Sequence, residues 1–392
     1  MRVGLILLTL AYVLSQFFRS FLAVLAGVLQ TDIGATPEDL SLASGLWFLS
    51  FAAMQIPVGW ALDKIGPRKT SAFLFLLGGA GGATLFAIAT SPAHINAAMF
   101  FIGIGCSPVL MASYYIFARV YPAAMFATLG AIVIGVGSLG NLAGSAPLAW
   151  MVQAIGWRET MGLLAMASAV IASFSFVFVQ DPPAVEGDTK GSVLDLLKLP
   201  ALWLIFPMMF VNYAPAAGLR GLWAGPYLAD VQGADVITIG NVTMVMSVAM
   251  ILGTFAIGPL DRLLGTRKWV IFTGNLLGAC TILALYLTPD VSLIMAYLLF
   301  GLIGFFGMTF PMMVAHGRSF VPPHLAGRGV TLMNLFGIGG VGVFQIITGR
   351  LHAVGAAGAT QPVDAYSPIF LFLALAMFCG LAIYLFSKDR LD

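Results

Sequence analysis

Two arginines stand inside apolar stretches of this chain. Arg19 lies in Y-V-L-S-Q-F-F-R-S-F and Arg220 in N-Y-A-P-A-A-G-L-R-G-L-W, 201 positions apart. Sixteen Asp and Glu residues are present, and all can be assigned to polar connections or to the ends of apolar stretches. No carboxylate therefore neutralises either guanidinium from within a stretch. The planar guanidinium fork donates two parallel hydrogen bonds and so suits a carboxylate or a phosphate. Tyr12, Ser15, Gln16 and Arg19 follow i, i+3, i+4, i+7 spacing, which puts them on one helical face. Tyr114 and Tyr213 add hydroxyls on two further stretches, beside Ser113, Tyr115 and Asn212; Trp47 and Gln55 lie on another. Aromatic walls with a few hydrogen-bonding groups suit an organic solute better than a bare inorganic ion. Three other roles stay open for the arginines. Arg19 could reach outward to an interface. Arg220 could bind helix carbonyls beside Gly218 and Gly221. Both could clamp an outer gate through Asp230 or Asp39. Trp223 and Tyr227, near a stretch end, read as residues of an interfacial aromatic belt.

The elements that must position these groups are membrane spans. Of 392 residues, 60% are hydrophobic and 9% charged, and mean hydropathy is +0.99. A soluble domain carries roughly 25% charged residues. Twelve apolar stretches, each long enough to cross the hydrocarbon, are read at about 3–29, 40–62, 71–91, 95–119, 124–150, 157–179, 199–228, 237–258, 269–288, 291–316, 329–351 and 367–387. Residues 3–29 are too long for a signal peptide and carry an arginine, so they read as the first span. Alternating the connections puts fourteen Lys and Arg on one side and only Arg158 and Arg350 on the other. The positive-inside rule then makes both termini cytoplasmic. Charges within spans are costly and mark function, so Arg19 and Arg220 are the first candidates for a site.

The connection after the second span is written twice. Residues 59–69 read G-W-A-L-D-K-I-G-P-R-K and residues 258–268 read G-P-L-D-R-L-L-G-T-R-K; Gly66 and Gly265 are 199 positions apart. Y-P-A-A-M-F-A-T at 121–128 aligns with V-P-P-H-L-A-G-R at 321–328, each opening a glycine-rich span. Glycines there permit close helix approach. A polar interruption after Gln180 separates the copies, and Ser192–Leu199 could form a short amphipathic surface helix. The expected organisation is a six-helix bundle over 1–180, a cytoplasmic linker over 181–198 and a second six-helix bundle over 199–392. A parallel repeat of this kind occurs in transporters that rock around a central site.

The chain resembles the major facilitator superfamily over essentially its full length. The family's loop signature, roughly G-x-x-x-D-[RK]-x-G-R-[RK], corresponds to Gly59, Asp63, Lys64, Gly66, Arg68 and Lys69, with Pro67 as one extra residue. The second copy uses Gly258, Asp261, Arg262, Gly265, Arg267 and Lys268 and is one residue shorter between Gly and Asp. Gly156-Trp157-Arg158 is also similar to the family's pattern. The resemblance implies an all-α membrane protein with two six-helix bundles related by a pseudo-two-fold axis. It implies that the loop Asp gates the cytoplasmic side with a basic residue and a helix N-terminus, which points to Asp63, Arg68, Arg119 and Asp261. It further implies that spans one and seven line the central cavity, where the family's phosphate exchangers place basic residues.

Methionine offers a second reading. Met246 and Met250 form M-x-x-x-M on span eight, and thioethers favour Cu(I). This stretch resembles the CcoA-like copper importers and their riboflavin-transporting relatives. Those importers carry H-x-x-x-M on the next helix, where this chain reads V-I-F-T-G-N-L-L-G. Met308, Met312, Met313 and His316 cluster on span ten, and apolar filling is the plainer role for the methionine pairs. His316 reads as a capping or interfacial residue. Cys106, Cys280 and Cys379 fall in three different spans, which fits neither a disulfide framework nor a zinc cluster.

The sequence holds no phosphate-binding P-loop, no nucleophile elbow and no His/Cys cluster, so neither an enzyme nor a bound cofactor is expected. The expectation is a monomeric secondary transporter in a bacterial-type inner membrane. It would move a small organic anion, preferably inward, by alternating access, with a small-molecule substrate and the lipid bilayer as its partners and no nucleic acid. Arg19, Arg220, Tyr12, Gln16, Tyr114 and Tyr213 would bind substrate. A CcoA-like importer of copper or riboflavin, with Met246 and Met250 as ligands, and a non-transporting membrane scaffold are the alternatives.

Overall fold

The computed structural model describes residues 2–183, 196–288, 291–322 and 325–391. Most of the expected linker falls outside them, as do Lys190, Asp290, His324 and the first half of the expected surface helix at Ser192–Leu199. Every regular element among the described residues is helical. Ten helices are long and apolar enough to cross a membrane: Pro37–Lys64, Pro67–Ala87, Pro92–Val120, Trp157–Phe178, Pro200–Gln232, Val236–Leu264, Lys268–Leu287, Leu293–Ser319, Arg328–Ala357 and Pro362–Tyr384. Two bent pairs, Arg2–Phe17 with Leu22–Ile33 and Thr128–Ala143 with Ala146–Ile155, complete a set of twelve spans. The outer surface carries large apolar side chains such as Phe255 and Ile294, which are 74% and 83% exposed. Hydrocarbon has to cover them.

The span starts are legible in residue types. Pro37, Pro67, Pro92, Pro200 and Pro362 each occupy the first turn of their helix. Proline's fixed φ suits that position, and its missing N–H would have no partner there anyway. Thr36 caps span two by accepting from the Asp39 amide, and Asp39 accepts in return from the Thr36 amide. Gly66, at φ 94°, makes the sharp entry into span three that an L side chain would resist.

The chain divides into two compact units, Met1–Glu186 and Gly187–Asp392, with six spans in each. In the first unit, span one crosses span five so closely that a Cβ on Gly140 would collide with the Val13 carbonyl. In the second, span seven crosses span eleven, and a Cβ on Gly340 would collide with the Phe210 carbonyl. Gly140 and Gly340 are 200 positions apart. The glycine-rich starts expected of spans five and eleven thus serve equivalent crossings.

Both arginine-bearing spans are irregular where the arginine sits. Span one bends by 56° between Phe17 and Leu22. The Ser20 amide tightens the turn by donating to the Phe17 carbonyl at 3.0 Å. Its hydroxyl lies 3.3 Å and 3.2 Å from the Gln16 and Phe17 carbonyls at the break. Span seven is interrupted at Tyr213, just before Pro215, which has no N–H to continue the ladder. It then passes through a π turn at Leu219–Trp223. Such turns concentrate at functional sites.

Candidate arginine sites and loop contacts

Arg19 occupies the bend of span one and is half-buried. Its guanidinium carbon lies 5.1 Å from the Trp47 ring centroid and 5.2 Å from that of Phe51. Those two rings come from successive turns of span two and stack at 5.1 Å with 14° between their planes. A cation beside two π faces is held in orientation without losing its positive charge. The Arg19 Nε and the Trp47 indole nitrogen are both buried donors with no hydrogen-bond partner. One turn earlier, Gln16 donates from Nε2 to the Tyr12 hydroxyl at 2.9 Å, while its Oε1 is a buried acceptor with no partner.

The tyrosine candidates of the first unit, Tyr12 on span one and Tyr114 on span four, pack against span five. The Tyr12 ring packs against Gly137, and the Tyr114 ring lies 3.3 Å from a Cβ built on Gly130, two turns away. Arg19 thus meets Trp47 and Phe51, Gln16 meets Tyr12 one turn before the bend, and Tyr12 and Tyr114 pack at two levels of span five. Asp39 belongs to the Thr36 capping box, and Asp32 accepts from both Trp157 and Arg158.

In the second unit, Arg220 lies in the π turn and is fully buried. The Trp223 indole N–H reaches Gln345 Oε1 at 3.0 Å and Thr348 Oγ1 at 2.9 Å. Gln345 in turn donates to the Gly218 carbonyl at 3.3 Å, so span eleven braces the turn that carries Arg220. Trp223 and Tyr227 are 1% and 0% exposed and pack on His352, Tyr366, Phe300 and Phe370. They belong to the interior of the unit rather than to an interfacial belt. Asp230 accepts from the Tyr366 hydroxyl. Tyr213 is buried at the break in span seven, its ring 4.9 Å from that of Phe310.

Beside Tyr213 the structure shows a polar cluster of which sequence reading found only Asn212. Asn212 Nδ2 reaches Asn275 Oδ1 and Thr309 Oγ1, tying spans seven, nine and ten together. All three residues are at most 1% exposed. No spacing rule could have found them, because they are 63 and 97 positions apart.

At one end of each unit the repeated loop is locked by carboxylates. Asp63 meets Arg119 at 3.2 Å, and Arg119 stacks on the Tyr115 ring at 4.1 Å. Arg68 turns elsewhere: its amide donates to Asp181 at 2.8 Å, and its side chain lies 3.7 Å from the same carboxylate. In the second loop Asp261 pairs with Arg267 at 2.9 Å. Asp389 accepts from the amides of Arg267 and Lys268 at 3.1 and 2.9 Å and from the Thr266 hydroxyl. Burial raises the Asp389 pKa, but these three donors outweigh it and hold the carboxyl below its ordinary range. The shared signal was an Asp placed just after spans six and twelve. His316 is fully buried rather than interfacial. Its Nε2 lies 3.0 Å from the Lys388 carbonyl, so Nε2 carries the proton and Nδ1 accepts from the Tyr384 hydroxyl at 2.7 Å.

Met246 and Met250 are buried at 0% and 6% exposure, where span eight crosses span ten. A Cβ on Gly304 would lie 2.8 Å from the Met246 carbonyl and 3.3 Å from Met250 Cγ, so both residues pack at that crossing. Among the described residues no group of three His, Cys, Asp or Glu could hold a metal ion.

A dozen spans in two six-span units, with the repeated Asp-basic-Gly-Arg-Lys loop, define a transporter scaffold. The chain belongs to the Major Facilitator Superfamily, whose family model matches residues 8–336 and 205–391. That is a family of transporters and not of enzymes. The chain is 26% identical over 285 residues to a probable sulfoacetate transporter, SauU, of Cupriavidus necator, covering 68% of this chain and 65% of that protein. It is 22% identical to the probable galactarate/D-glucarate transporter GarP of Escherichia coli K12, over 91% of this chain and 88% of that protein. A D-galactonate transporter from an Escherichia coli O6:H1 strain is 24% identical over 93% of this chain and 92% of its own length. Many solved structures share the fold, and two serve as examples. A bacterial homologue of the human lysosomal transporter Spinster, inward-facing and occupied, gives a TM-score of 0.78 at 19% identity, covering 98% of this chain and 96% of that chain. A D-xylose–proton symporter gives 0.79 at 15% identity, covering 98% and 97%.

Proposed function

We propose that this protein is a secondary transporter that takes up a small organic anion across a bacterial inner membrane by alternating access. One observation carries the reading. Arg19 is held half-buried over two aromatic rings with a buried Nε that has no partner. A guanidinium kept charged inside an apolar bundle attracts an anion strongly because little water competes for it. Arg220 supplies the second positive charge at the equivalent place in the repeat. The names of the curated relatives support the same class, since sulfoacetate, galactarate, D-glucarate and D-galactonate are all small organic anions.

The repeated loops act as gates in this reading. Asp63 with Arg119 and Asp261 with Arg267 break and re-form as the protein changes state, and a contact made in one state only sets the balance between states. The basic loops face the cytoplasm, as do both termini, and one copy of the chain suffices for transport. The test is uptake of radiolabelled organic acids into proteoliposomes holding the purified protein. Uptake should be saturable; at low substrate it should fall at least about tenfold in Arg19→Gln and be lost in Arg220→Gln, while both variants still insert into the bilayer. Unchanged uptake in both variants would overturn the anion site.

A further inference from the structure

We infer that the anion carries hydroxyl groups close to its carboxylate, and that Gln16 and Trp47 read them together with Arg19. The inference rests on the anion-transport reading and adds the chemistry of the substrate to it. Two buried donors near the bend, Arg19 Nε and Trp47 Nε1, have no partner. A carboxylate oxygen, which only accepts, satisfies donors of this kind. Gln16 Oε1 is different. It is a buried acceptor with no partner, on a residue 8% exposed, one turn before Arg19. A carboxylate or sulfonate cannot satisfy it, because neither donates. A hydroxyl can, and it has an oxygen left to accept from the indole.

The geometry holds Gln16 in place for this task. Its Nε2 is committed to the Tyr12 hydroxyl at 2.9 Å, which leaves Oε1 as the end available to a ligand. Tyr12 is itself wedged against Gly137 of span five. Trp47 is fully buried with its ring locked on Phe51, so its N–H direction is fixed. Arg19 Nε and Trp47 Nε1 need an acceptor and Gln16 Oε1 needs a donor, and these residues lie at the bend or one turn before it, so a ligand that both donates and accepts would satisfy all three. A hydroxy acid fits. An acid without hydroxyls leaves Gln16 Oε1 unpaired, and sites built to bond a hydroxyl discriminate strongly against analogues that lack it.

The experiment compares D-glucarate with adipate, the six-carbon diacid that lacks its four hydroxyls, in proteoliposomes of the full chain. Wild-type protein should take up glucarate with a KM at least about tenfold below that of adipate, the worth of one hydrogen bond or more. Gln16→Met, which keeps length but removes the acceptor, should raise the glucarate KM about tenfold more than it raises that of adipate. Trp47→Phe keeps a ring over Arg19 and removes only the N–H, so it should weaken glucarate more than adipate. No preference in wild-type protein overturns the inference, and so does an equal loss for both acids in Gln16→Met. Neither result touches the anion-transport reading, which falls if no organic acid is taken up or if uptake is unchanged in both arginine variants.

Discussion

Arg19 and Arg220 hold matching places in the repeat, yet their surroundings differ. Arg19 sits in a bend, half-buried, steadied by two rings from a single neighbouring span. Arg220 sits in a π turn, fully enclosed, where span eleven braces the backbone through Gln345. The loops show the same contrast. The Asp63 and Arg119 side chains are 61% and 24% exposed, whereas Asp261 and Arg267 are only 9% and 13% exposed. Duplication supplied two copies of each device, and the second unit has buried both of its copies. The first unit keeps its charges where a ligand or water can reach them. The first unit is therefore expected to respond to substrate and the second to hold structure.

The strongest way to break that comparison is Arg220→Gln. Arg220 is fully enclosed in the π turn, so its replacement should lower stability by more than a surface substitution does, above about 1 kcal/mol, and abolish transport. Thermal unfolding in detergent, read beside uptake, checks it. If stability is unchanged, the second arginine serves binding alone, as the first does. Asp261→Asn comes next, since it leaves Arg267 buried without its partner and should cost about 3 kcal/mol. Asp63→Asn should cost less than about 1 kcal/mol, and its effect should appear in the rate of transport rather than in unfolding. Equal destabilisation by the two loop variants would erase the distinction.

Arg19→Gln sharpens the comparison from the other side. The KM for an organic acid should rise roughly ten- to a hundredfold, the range for a charged hydrogen bond. Stability should move by no more than about 1 kcal/mol, since only two cation–π contacts at a half-buried site are lost. The smallest effect concerns the tail. The Asp389 pKa is lowered in the folded protein, so its stabilisation is complete above the unfolded value of about 3.9 and is lost as pH falls through the lower folded value. Unfolding midpoints followed from pH 7 to pH 3 should show the wild-type protein losing this advantage only at the acid end. Asp389→Asn should lack it throughout.

Local chemistry made much of this molecule readable without coordinates. Hydrocarbon thickness sets a minimum length for an apolar run, so spans can be counted one at a time. Proline at a first helical turn and the Thr36–Asp39 box act within a few residues, so several span starts are legible too. The repeat offset is likewise a property of the string, and it paired Arg19 with Arg220 before any geometry was known. Tertiary structure alone decided what each charge meets. Arg68 turns to Asp181 across 113 positions, and Asp389 closes a loop 121 positions away. Trp47 and Phe51 stand over Arg19 only because spans one and two pack with that rotation. Trp223 and Tyr227 looked interfacial by position, but packing against spans ten, eleven and twelve buried them. The physical reason is the same throughout. Transfer into hydrocarbon is a sum over neighbouring residues in the chain, so it is written locally. Hydrogen bonds and ring contacts depend on direction over a few ångströms, and only the crossing of distant helices fixes that.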